Sequence, residues 1–189
     1  MKRLVVFASG NGSNYAALQA AITKGKLAAQ IVCVVCDHAD AYVLKRAEAD
    51  GVATLVINYR DYPDKAAAEA AIVAQLPPLD LVILAGYMRI IGATLLAAYP
   101  KRIINLHPAL LPSFPGRNGI LDAYNYGVRI TGVTVHYVDA GIDSGEIIAQ
   151  MAVPIAKQQA LPDLEAAIHA AEHQLLPQVV ADLIEEGVI

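Results

Sequence analysis

No apolar run in these 189 residues approaches the ~20 that a bilayer crossing takes. Nor is there a signal peptide's long apolar segment, because Met1-Lys2-Arg3 passes at once into a strand pattern. The chain therefore reads as cytoplasmic, with no membrane partner. Positive charge is also short: 14 Lys and Arg stand against 18 Asp and Glu, for a net charge of -4. Binding to a phosphate backbone usually leaves a basic face, so nucleic acid is not expected as the main partner, although a local basic pocket is compatible with the count. Cysteine is scarce too. Cys33 and Cys36 are the only two, and both fall in the β-branched run Ile31 to Cys36. A redox or metal site would want them on a loop or helix start with further ligands nearby. Three residues apart on a strand they point to opposite faces, which fits core packing. No internal repeat, linker or low-complexity tail divides the chain, so residues 1-189 read as a single domain.

What the sequence has in quantity is apolar residues, 56%, much of it alanine in helix-like stretches. Leu4 to Ala8 is a continuous apolar run, and after a glycine-rich turn Tyr15, Leu18, Ala21 and Ile22 recur at helical spacing. A strand at Ile31 to Cys36, a helix over Ala41 to Ala49 and a short strand near Thr54 to Ile57 follow. A helix from about Asp64 to Gln75 stops before Pro77-Pro78. The strand at Asp80 to Ala85 lacks polar alternation, as a central parallel strand does. Next come a helix over about Ala93 to Tyr99 and a strand ending at Asn105 to His107. This alternation predicts an α/β fold with a doubly wound, mostly parallel sheet, Rossmann-like in its N-terminal half, with helices on both faces. Beyond residue 110 the pattern changes to a proline-stiffened loop over Ala109 to Gly116 and a helix ending near Gly127. Strands at Thr131 to Val138 and Ile147 to Val153 form an antiparallel extension. A terminal helix over Leu161 to Glu186 is expected to break or kink at Pro177.

Three stretches carry chemistry. In Asn105-Leu106-His107-Pro108, period-two alternation puts the amide and the imidazole on one side of the strand, at the C-terminal edge where open α/β sheets hold ligands. Taken alone, such a motif is also what a strand cap followed by a turn looks like. In Ser9-Gly10-Asn11-Gly12-Ser13-Asn14, glycines between a strand and a helix let backbone N–H groups approach an anion. There is no Gly-Lys-Ser/Thr ending, and the dinucleotide spacing is incomplete. A small phosphorylated substrate is thus favoured over a nucleoside triphosphate or nicotinamide, with an N-capped turn using Ser13 or Asn14 as the plain alternative. Third, the glycine-spaced loop Asp139 to Glu146 could bring a carboxylate to His107, with Asp143 and Asp139 as rival candidates. The remaining histidines have weaker claims: His38 in a loop, His136 in a strand, and His169 and His173 four apart on the terminal helix. No metal-ligand spacing is evident.

Together these stretches resemble a known family. The glycine-rich loop, Gly86-Tyr87-Met88-Arg89-Ile90, the run Asn105 to Gly116 and Asp143-Ser144-Gly145 occur in the order found in the folate-dependent formyltransferases of purine synthesis. The resemblance spans essentially the whole chain. It implies a formyltransferase fold and formyl transfer from 10-formyltetrahydrofolate, as co-substrate and without a metal, to the amine of 5-phosphoribosylglycinamide. It further implies that Asn105, His107 and Asp143 form a catalytic trio, and that Asn11, Gly12, Ser13 and Asn14 cradle the substrate phosphate. On the same footing Glu172 contacts the glycinamide substrate. Met88, Arg89, Ile90 and Ile91, with Asn105 and Lys65, serve the folate. One departure is Asn118, which stands about where some members carry a histidine. The partners implied are small molecules, and the working unit a monomer or homodimer. A folate hydrolase would reuse the trio with water as acceptor but is expected to carry an N-terminal regulatory domain. A formyltransferase acting on methionyl-tRNA would add a C-terminal RNA-binding domain. A noncatalytic folate- or nucleotide-binding module is the remaining alternative, and an intact trio argues against it.

Overall fold

The computed structural model describes residues 1–189. Its elements are β1 (Lys2–Phe7), α1 (Ser13–Thr23), β2 (Ala29–Cys36), α2 (Tyr42–Ala49), β3 (Thr54–Val56), α3 (Lys65–Gln75) and β4 (Leu81–Leu84). There follow α4 (Ala93–Ala98), β5 (Ile103–His107), α5 (Gly119–Tyr126), β6 (Ile130–Tyr137), β7 (Ile147–Pro154) and α6 (Leu161–Glu185). One seven-stranded sheet runs in the order β3-β2-β1-β4-β5-β6-β7. The first five strands pair in parallel, whereas β6 and β7 are antiparallel to their neighbours. This is the doubly wound sheet with an antiparallel extension that the alternation predicted, and no helix is long and apolar enough to cross a membrane.

The two-residue period sorts each central strand between two cores. From β1, Leu4 and Val6 enter the larger cluster, packed with α1, α2 and α6, while Val5 and Phe7 enter the smaller one with α3 and α4. Strand β4 divides likewise, Leu81 and Ile83 against Val82 and Leu84. All of these are buried. Each such side chain contributes about 1.5–3 kcal/mol of hydrophobic stabilisation, so the continuous apolar runs reflect burial on both faces. Cys36 lies in the larger core and Cys33 in the smaller, opposite faces as expected, and both are free thiols.

The terminal helix does not break at Pro177. It is unbroken from Leu161 to Glu185 with Pro177 inside it. The missing N–H removes one rung, but Leu175, Leu176, Val179 and Val180 on either side are buried against the sheet. That packing outweighs a cost of about 3 kcal/mol for an interior proline.

The chain leaves β1 for β2 on one side and reaches β4 and β5 on the other, so the carboxyl ends of β1, β4 and β5 surround a topological switch point. Crevices form there because the loops that follow neighbouring strands depart in opposite directions.

Candidate active site

A cavity of about 660 Å³ opens at that switch point, walled by the loops after β1, β4 and β5, the loop between β6 and β7, and one face of α6. Gly12 forms the turn into α1 with φ of 75°, and no side chain caps the helix. A Cβ at Gly12 would come within 2.5 Å of Val43 Cγ2, so neither the backbone angle nor the space admits a larger residue. With no acidic residue in its first turn, α1 turns uncompensated N–H groups and the positive end of its dipole toward the cavity. Ser13 and Asn14 line it with Asn11 and Gly12. Arg46 holds the Asn11 carbonyl at 2.9 Å and its side-chain oxygen at 3.0 Å, which leaves the Asn11 N–H groups as its donors. Asn14 is buried and donates from Nδ2 to Glu172 Oε2 at 3.2 Å. Its own Oδ1 is buried without a partner, an acceptor awaiting a hydroxyl or N–H donor. Glu172 also takes a 2.9 Å contact from His169 Nδ1. The α6 face thus offers polar groups directly beside the start of α1.

At the end of β5, Asn105 and His107 turn to one side while Leu106 packs into the larger core. Asp143 arrives from the β6–β7 loop and meets both. Its Oδ2 lies 3.3 Å from His107 Nδ1 and accepts the Gly116 N–H at 2.7 Å, and its Oδ1 accepts from Asn105 Nδ2 at 3.3 Å. Burial opposes ionisation of this carboxyl. The His136 side chain, the Gly116 N–H and the His107 imidazole outweigh that opposition and hold it below the usual carboxylate range. Asp143 sits at φ of 50°, a left-handed backbone that aspartate tolerates better than most residues. The rival Asp139 does different work: its Oδ1 accepts from the Gly141 N–H at 2.9 Å and from Ser144 Oγ at 2.8 Å, closing the loop that delivers Asp143.

His107 is 3% exposed. Its Nε2 lies 2.8 Å from the Phe114 carbonyl. A carbonyl only accepts, so Nε2 carries a proton, and Nδ1 is the nitrogen that faces Asp143. Phe114 adopts φ of 55°, an unfavourable angle for a bulky residue, and in that conformation its carbonyl meets the imidazole. A Cβ on Gly119 would lie 3.2 Å from both His107 Nε2 and the Phe114 oxygen, so glycine leaves room for this contact.

His136 is a site residue that sequence reading undervalued. Its Nδ1 donates to the Tyr137 carbonyl at 2.9 Å, and its Nε2 lies 3.1 Å from Asn105 Nδ2 and 3.6 Å from Asp143 Oδ1. The signal was present only as register: His136 stands directly across the antiparallel ladder from Asn105. The Phe114 carbonyl and Gly116 N–H were also missed, since backbone groups leave no mark in a motif.

On the opposite wall, Met88 and Ile90 are 53% and 57% exposed at the cavity mouth, with Arg89 and the buried Ile91 also lining it. Ile142, beside Asp143, is a further exposed apolar side chain on the lining. Asn118 lines the cavity and precedes α5, with no side-chain cap bond. Lys65, expected to serve the folate, is exposed at the first residue of α3 and is not part of the lining. The reason is the helix itself: Asp64 caps it by accepting the Ala67 N–H at 2.8 Å, which fixes Lys65 as its first residue.

This fold has close counterparts. The formyl transferase family profile matches residues 2–180. A phosphoribosylglycinamide formyltransferase of Bacillus subtilis is 45% identical over 97% of this chain and 95% of its own length. Among solved structures, the phosphoribosylglycinamide formyltransferase of Bacillus halodurans superposes with a TM-score of 0.95 at 41% identity, covering 98% of this chain and 97% of that one. Glycinamide ribonucleotide transformylase 1 of Geobacillus kaustophilus gives 0.94 at 49% identity, over 97% of this chain and 98% of that one. A match over nearly the full length, in sequence and in three dimensions, shows that this chain belongs to the formyl transferase family.

Proposed function

We propose that the chain transfers the formyl group of 10-formyltetrahydrofolate to the amine of 5-phosphoribosylglycinamide, yielding formylglycinamide ribonucleotide and tetrahydrofolate in purine synthesis. The observation that carries this reading is the convergence of Asp143 with Asn105 and His107 in a cavity that also holds the uncapped N-terminus of α1. A formyl-transfer centre and a phosphate seat share one space.

The residues fit both substrates. The N–H groups at the start of α1 suit a phosphate, and the acceptors Glu172 and Asn14 Oδ1 suit the hydroxyls and amide N–H of the same molecule. Met88, Ile90 and Ile142 offer apolar surface to a flat folate ring, which would cover them. No step calls for a metal.

Attack of the amine on the formyl carbon places negative charge on oxygen and positive charge on nitrogen. Asn105 meets the oxygen. Its 3.1 Å bond to His136 keeps the amide oriented, while the longer 3.3 Å bond to Asp143 is the one that yields its N–H to the oxyanion. A donor of this kind is typically worth ~2.7–4 kcal/mol. His107 accepts a proton at Nδ1, directly or through water, and returns it to the departing folate nitrogen, and Asp143 stabilises the imidazolium formed in between. Such assistance is typically worth about 10²- to 10⁴-fold.

The test is incubation with 10-formyltetrahydrofolate, with and without phosphoribosylglycinamide. Amine-dependent formation of the formylated product is expected. Formate release without the amine would instead make the chain a hydrolase, and an unchanged folate spectrum in both arms would sink either enzymatic reading. The cellular setting that goes with this reading is the cytoplasm, with a monomer or homodimer as the working unit.

A further inference from the structure

Two guanidinium groups line the cavity, those of Arg89 and Arg117. Arg89 has a carboxylate partner, with its Nε 2.7 Å from Asp37 Oδ2. Arg117 takes part in no ion pair. It is exposed, and its side chain makes one hydrogen bond, from Nη2 to the Met88 carbonyl at 3.2 Å. The rest of its fork of N–H donors is left to a ligand. The backbone on either side of it is held by the catalytic cluster itself: the preceding Gly116 N–H donates to Asp143 Oδ2 at 2.7 Å, and a Cβ on Gly119 would meet His107 Nε2 at 3.2 Å. From that anchored start the side chain reaches across to the loop after β4, so its charge stands at the cavity mouth beside the exposed Met88.

The other charged groups on the lining are carboxylates, Asp139, Asp143, Glu165 and Glu172, on the β6–β7 loop and on α6. A ligand carboxylate is repelled by that wall and drawn to Arg117. The phosphate of the amine substrate is accounted for by the N–H groups at the start of α1. Arg117 is therefore left for the formyl donor. A folate carries its formyl nitrogen between a flat pterin and a benzoyl-glutamate tail, and the tail is the end that bears carboxylates. With the formyl group at Asn105 and His107, the unpaired guanidinium supplies the charge that this end lacks.

We propose that Arg117 is a specificity-determining residue for the folate, pairing its guanidinium with the glutamate carboxylates of the tail, so that the chain selects an anionic tail over a neutral one. This rests on folate being the formyl donor, as in the proposed function. The Met88 carbonyl holds the guanidinium at the mouth without neutralising it, which lowers the ordering cost of the pair. The mouth is open to solvent, so the preference is of the size that exposed ion pairs reach, about 3- to 5-fold in affinity, and salt screens it.

The experiment titrates tetrahydrofolate and tetrahydropteroyl methylamide, the same carrier with a neutral tail, into the parent and into Arg117→Met, at low and at high salt. The parent is expected to bind tetrahydrofolate about 3- to 5-fold more tightly at low salt and to lose that preference at high salt. Arg117→Met should bind both ligands alike, at the parent's affinity for the methylamide. Transfer assays with the 10-formyl derivatives should show the same split in KM, with kcat and the KM for phosphoribosylglycinamide changed by less than about twofold. A preference that survives Arg117→Met would overturn the proposal by placing the tail elsewhere. Equal binding of the two ligands by the parent would overturn it as well, as would parallel weakening of both in the variant, which marks a structural effect. A parent that keeps the tail preference but transfers no formyl would sink the functional reading and leave Arg117 its role; a parent that binds neither ligand would end both.

Discussion

Replacing Asp143 by Asn tests the site at its centre, because the change keeps the shape and removes the charge. The carboxylate faces His107 Nδ1 at 3.3 Å and accepts from Gly116 and Asn105. An amide in its place turns an N–H toward one of those donors and cannot balance the imidazolium formed during transfer. At an effective dielectric of about 20, a full unit-charge pair at 3.3 Å is worth about 5 kcal/mol. Residual solvent access and the charge shared with other donors reduce this to roughly 3 kcal/mol in the transition state. That corresponds to a fall in kcat on the order of 10²-fold. The KM values should move little, because neither substrate's ground-state contacts are removed. Steady-state assays with each substrate varied in turn read the two parameters separately. A loss of kcat below about tenfold, or a loss confined to KM, would refute the assigned role. Stability supplies a second readout. The carboxyl of Asp143 is held below its usual range in the fold, so its stabilisation is complete above the unfolded-state value of about 3.9 and fades as pH falls through the lower folded value. The Tm advantage of the parent over D143N is therefore expected at neutral pH and should shrink below about pH 4.

Three further outcomes follow from particular contacts. Gly119→Ala would press a Cβ to 3.2 Å from His107 Nε2 and the Phe114 carbonyl; kcat should fall about tenfold with a Tm change of only a few degrees, measured by assay and thermal melt. Gly12→Ala forces a Cβ against Val43 at a position with φ of 75°, so the KM for phosphoribosylglycinamide should rise at least about tenfold while that for the folate holds. Glu172→Gln removes the charged acceptor that Asn14 and His169 share; it too should weaken the amine substrate alone, by about 1.5–3 kcal/mol in a titration with that substrate.

Most of the fold was legible because hydrophobic period is local. Continuous runs such as Leu81 to Leu84 announced strands buried on both faces, and alanine-rich stretches ending at Gly51 or Pro77 announced helices. A break at Pro177 did not follow because the rule for interior proline is local, whereas the burial that keeps α6 whole comes from the sheet beneath it. Lys65 stands exposed at the start of α3, outside the cavity lining.

By itself the sequence determined the strand order of chemistry: a glycine turn before a helix, an amide and an imidazole two residues apart on a strand end, and an acidic glycine loop. Those are short-range properties of residue type and spacing. Only the tertiary structure decided between Asp139 and Asp143, by closing the loop on the first and aiming the second. It alone set His107 Nε2 against the Phe114 carbonyl, brought His136 to Asn105 across the ladder, and paired Arg89 Nε with Asp37. These contacts join residues far apart in the chain or use backbone atoms common to every residue, and such information comes into being when the sheet and its loops pack.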